Sequence, residues 1–113
     1  MSTPSDLAAT LTDVTEREYV RFVADWMTRA EQLEEVPPLT GAAVIDALVA
    51  AAASHVAFQR TGSVPSWTQE PARRLDSFWH PGSAALLANA LVHAPLSFKL
   101  HGILIEADSL VSV

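Results

Sequence analysis

The tract from Gly41 to Phe58 constrains this chain most, because only Asp46, Ser54 and His55 in it are clearly polar. A run of that length approaches what is needed to span a bilayer. It is nevertheless largely alanine, a weak membrane former, and Asp46 would be costly in hydrocarbon. The tract therefore predicts a buried helix of a water-soluble protein. Thr40 is placed to cap its start and Gly62 to end it, since glycine readily takes the left-handed position after a last helical turn. Val44, Ile45, Leu48, Val49, Ala52, Val56 and Phe58 make the helix apolar on most sides. Such a helix belongs at the centre of a small bundle, covered by others.

The flanking sequence supplies the cover. Thr15-Glu16-Arg17-Glu18 reads as a capping box, followed by Tyr19, Phe22, Val23, Trp26, Met27, Ala30 and Leu33 at helical intervals. This predicts a helix to about Glu35, stopped by Pro37-Pro38. A short first segment, Asp6 to Leu11, is expected as a helical turn or as part of a frayed end over residues 1–14. Past a loop anchored by Trp67, Pro71 opens a predicted third helix through Leu75, Phe78 and Trp79. Ser83 begins a fourth through Leu91, and Pro95 a short fifth to Gly102. Ile103 to Glu106 is β-like, with Ala107 to Leu110 as a turn. The expected architecture is all-α: a compact single domain over residues 1–113, with about five helices around the alanine-rich one.

Charge narrows the partners. Thirteen acidic residues against seven basic ones leave a net charge of −6, too negative for a general nucleic-acid binder. Most of that charge lies in residues 1–60, where the balance is −5. Arg73 and Arg74 alone cannot supply the phosphate contacts of a specific DNA site. With no cysteine there is no disulfide framework, thiolate metal site or thiol nucleophile, and a reduced, cytoplasmic setting fits best. Met1 to Asp13 lacks the basic and apolar regions of a signal peptide.

No residue set meets the roles of a catalytic centre, so the chain reads as a non-enzyme with no cofactor and no metal. His55, His80, His93 and His101 lack the i, i+4 spacing of a helical metal pair. Glu34-Glu35, and Glu106 with Asp108, read as solvated acids, and the four glycines mark helix boundaries rather than a phosphate loop. Tryptophan and arginine, the types enriched at binding hot spots, concentrate between Trp67 and Trp79.

The segment Val64-Pro-Ser-Trp-Thr-Gln-Glu-Pro-Ala-Arg-Arg-Leu-Asp-Ser-Phe-Trp-His-Pro-Gly82, with Ala94 to Phe98 and Gly102 to Leu110, resembles a small actinobacterial antitoxin-type helical domain. Such domains are often encoded beside a nucleotidyltransferase-like toxin. The resemblance covers roughly the carboxyl-terminal half and implies a protein that binds and neutralises a toxin enzyme. No helix-turn-helix with a basic recognition helix occurs in residues 1–60, so the action implied is protein binding rather than DNA binding. A toxin that handles nucleotides needs a basic cleft, to which an acidic surface is attracted. The candidate partner-binding residues are thus Glu16, Asp25, Glu31, Glu34 and Glu35 on the acidic side, with Trp67, Arg73, Arg74 and Trp79 on the other. The alternative is a structural module that self-associates through its alanine-rich helix.

Overall fold

In the computed structural model, which describes residues 2–80 and 94–105, the apolar tract forms a helix spanning Ala43–Thr61. For reference the α-helices are α1, Pro4–Asp13; α2, Tyr19–Arg29; α3, Ala43–Thr61; and α4, Leu96–Leu100. Every residue of α3 from Ile45 to Ala57 is buried except His55, and Ala50 to Ala53 have no exposed surface. It packs against α1, α2, α4 and two 3₁₀ turns, Ser66–Gln69 and Pro71–Arg73. The architecture is an all-α bundle with α3 at its centre. Its Cα radius of gyration is 12.7 Å, close to the about 13 Å expected of a compact chain this long. Among the described residues, no helix is long and apolar enough to cross a membrane.

The start of α3 differs from expectation in an informative way. Ala42, not Thr40, is the N-cap residue. The buried Asp46 carboxylate instead accepts from both the N–H and the hydroxyl of Thr40, each at 2.9 Å. The costly acid of the apolar tract is therefore matched by two donors. At the other end Gly62 takes φ +78° and returns its N–H to the Phe58 carbonyl at 2.9 Å, as the sequence predicted.

The amino-terminal segment is a full helix rather than a frayed turn. A capping box exists, but at Thr3 and Asp6: the Thr3 hydroxyl accepts from the Asp6 N–H at 3.2 Å, and the Asp6 carboxylate accepts from the Thr3 N–H at 3.0 Å. Leu7, Ala8 and Leu11 bury one face of α1, and the Trp26 indole N–H donates to the Thr3 carbonyl. The box expected at Thr15 is absent. A 3₁₀ turn, Glu16–Glu18, stands there without a side-chain cap and leads into α2.

Two further expectations are corrected. α2 stops at Arg29, not near Glu35. The reason is tertiary: the Ala30 carbonyl accepts from Arg60, Glu31 pairs its N–H with the Ser2 carbonyl, and Gln32 turns through φ +52°. The predicted third helix is likewise replaced by the 3₁₀ turn Pro71–Arg73 and an extended run. Leu75 and Trp79 give their N–H groups to the carbonyls of His101 and Gly102, and the Leu104 N–H bonds to Trp79, which makes Trp79 and Ile103 a parallel bridge. The β-like carboxyl-terminal segment thus finds its partner in the stretch expected to be helical. The predicted fourth helix, Ser83 to Leu91, and the turn after Glu106 lie outside the described residues.

Candidate interaction surface

Between α2 and α3 runs an irregular segment, residues 30–42, longer than most loops in compact domains. It is tied down at four places by side chains from other parts of the chain. Arg60 Nη1 donates to the Ala30 carbonyl at 2.7 Å, Trp67 Nε1 to Leu33 at 2.9 Å, and Arg73 Nη2 to Pro37 at 2.7 Å. Asp46 then holds Thr40. A backbone without helix or strand still requires partners for its polar groups, and these long-range donors supply them.

This assigns Trp67 and Arg73 a different role from that expected. Both are buried, at 4% and 3% exposure, and the Arg73 guanidinium lies over the Trp67 ring, 4.9 Å from its centroid. Arg73 Nε also bonds the Glu70 carboxylate at 2.9 Å. They support the loop from beneath and do not offer a contact surface. Arg74 is exposed and donates to the Gln69 side chain. Trp79 is half-buried against Tyr19, with its indole N–H on Glu16 at 2.6 Å, so Glu16 and Trp79 hold one another.

The acidic residues divide in the same manner. Asp25 is paired with Arg29 on α2. Glu31 accepts from the Ser2 N–H at 3.0 Å, and Glu35 from the Ser5 N–H at 3.1 Å, placing both carboxylates at the amino end of α1. There the helix dipole and unpaired N–H groups favour negative charge. The Ser5 hydroxyl and N–H hold the Glu35 carboxyl below its ordinary value; Asp6 is held down similarly, first by the Thr3 N–H. Glu34 is exposed and has no hydrogen bond or ion pair within the described residues. No lysine or arginine occurs between Ala30 and Ala42, so the charges that the loop itself carries are all negative.

The loop also exposes Val36 and Leu39, at 58% and 53%. Sequence reasoning reached its acids but missed these two residues; their flanking of Pro37-Pro38 was the available signal. Among the described residues, no group of three or more acids and histidines is placed to hold a metal ion. The described histidines, His55, His80 and His101, are engaged within the fold. His55 lies edge-on to Phe98, with its imidazole pushed below its ordinary pKa by burial, while both ring nitrogens of His101 meet backbone carbonyls, those of Ser97 and Thr68. His80 bonds the Leu104 carbonyl through Nδ1; His93 lies outside the described residues.

No family model, characterised protein or solved structure matches the chain.

Proposed function

We propose that this chain is an antitoxin-type protein, cytoplasmic and non-enzymatic, that binds a toxin enzyme and neutralises it by covering a basic cleft. The nucleotidyltransferase-like class is the partner implied by the resemblance of residues 64–110 to antitoxin-type domains. The observation supporting the reading is the tethered acidic loop. Glu31, Glu34 and Glu35 lie within one short span that contains no lysine or arginine of its own and whose backbone is already ordered. An ordered loop loses little further entropy on docking, and its charge accelerates encounter with a basic surface. Self-association through the alanine-rich helix has less support, because α3 is covered within the chain itself.

Co-expression with the product of the neighbouring gene tests the reading through growth and co-purification. Toxicity of the neighbour alone, relieved by this chain in a stable complex, is the expected result; a harmless neighbour with no complex overturns it. Glu34→Lys is the cleanest charge variant, since Glu31 and Glu35 also hold α1. It should slow association about 3- to 10-fold at low salt, with the difference shrinking as salt rises. Salt-independent kinetics identical to wild type would remove the loop from the interface.

A further inference from the structure

The apolar part of the loop shows how docking could occur. Val36 precedes a proline and so does Pro37, and the clash of each following ring disfavours helical backbone at both. The two proline rings fix φ near the polyproline II value at Pro37 and Pro38. Residues 35–40 accordingly carry no helix, turn or strand. With three residues per turn and about 3.1 Å rise, Val36 and Leu39 fall on one edge, about 9 Å apart. Pro37 falls on another. Burial follows that geometry: Pro37 is buried, while Val36, Pro38 and Leu39 are exposed. The Pro37 carbonyl is also the one gripped by Arg73.

We propose that Val36-Pro37-Pro38-Leu39 is a preformed polyproline II ligand whose outward edge docks into an aromatic-lined groove of the partner protein, with a partner cation facing Glu34. The proposal rests on the protein-binding function above and names its contact element. Proline-rich segments bind such grooves because their extended conformation is present before binding. The carboxylates beside the segment choose among occupants. An anionic bilayer or a nucleic acid would be repelled by Glu31, Glu34 and Glu35, and a second copy of the loop would bring like charges together.

The experiment is titration calorimetry of the purified neighbouring gene product with three forms of the intact chain. The double variant Val36→Ser/Leu39→Ser removes the apolar edge at exposed positions, and it should bind at least about 30-fold more weakly. Pro38→Gly keeps both side chains but releases the backbone, and should bind about 10-fold more weakly. Circular dichroism should show both variants folded as wild type. Binding of the double variant within about threefold of wild type overturns the docking element but leaves the antitoxin reading standing. An unchanged Pro38→Gly overturns the polyproline mode. A wild-type chain that fails to bind a non-toxic neighbour overturns both readings, and a wild-type dimer made monomeric by the double variant overturns the choice of occupant.

Discussion

At the scale of single residues, the backbone tolerates little at Gly102. Its φ is +84°, and a β-carbon there would lie 2.8 Å from the Leu75 Cβ and 3.4 Å from the Leu75 carbonyl oxygen. Gly62 shares the left-handed conformation, at φ +78°, but nothing lies within 4 Å of such an atom. The two sites therefore separate conformational strain from collision. Gly62→Ala should cost about 1 kcal/mol, the usual penalty of a left-handed alanine. Gly102→Ala should cost about 2–4 kcal/mol, because overpacking against a backbone-fixed atom is added. Urea denaturation checks both through the midpoint at unchanged slope. Trp67 gives a second comparison. Trp67→Phe keeps an aromatic ring, though a smaller one, and leaves the Leu33 carbonyl without its donor, at an expected cost of about 1–3 kcal/mol for the lost hydrogen bond.

At the scale of elements, the loop should loosen before the bundle does. Arg73→Met removes the donor on Pro37 while preserving an unbranched apolar stem. Amide exchange should then quicken across residues 32–40 while α3 keeps its protection; equal quickening in α3 would show that loop and bundle open together. The same contacts explain what sequence reading reached. α3 was legible because Gly62 and an almost uninterrupted apolar run are local signals. The end of α2 was not, since Ala30 is claimed by Arg60 from thirty positions away. Leu75 to Trp79 carry a helix-compatible pattern, yet their extended form is set by carbonyls of His101 and Gly102. Trp67 and Arg73 have the chemistry of hot spots, a broad apolar face with N–H donors at its edge. Their burial uses that chemistry inside the chain, a distinction that composition alone does not carry. The acids of the loop were legible as charge, but their grip on the start of α1 depends on a juxtaposition across about thirty residues.

At the scale of the whole molecule, acid should destabilise the fold in two steps. Burial holds His55 below its ordinary value of 6.5. The unfolded chain therefore takes up that proton first, and stability falls as pH drops through the region below 6.5. Asp6 and Glu35 are held below 3.8 and 4.5, so their stabilisation is fully present above those values and is lost as pH falls through the lower folded ones. Thermal midpoints measured from pH 8 to pH 3 should show both declines. His55→Leu should remove the upper step and Glu35→Gln should flatten the lower; a midpoint independent of pH above 5 would contradict the role given to His55. The four-point tethering of residues 30–42 has a consequence for survival in a cell. A protease must draw several consecutive residues out into its cleft, and here each stretch of accessible backbone is pinned from behind. Loosening any one of the tethers from Asp46, Arg60, Trp67 or Arg73 should therefore quicken cleavage within residues 30–42 by an added protease, which limited proteolysis of Arg73→Met against wild type checks.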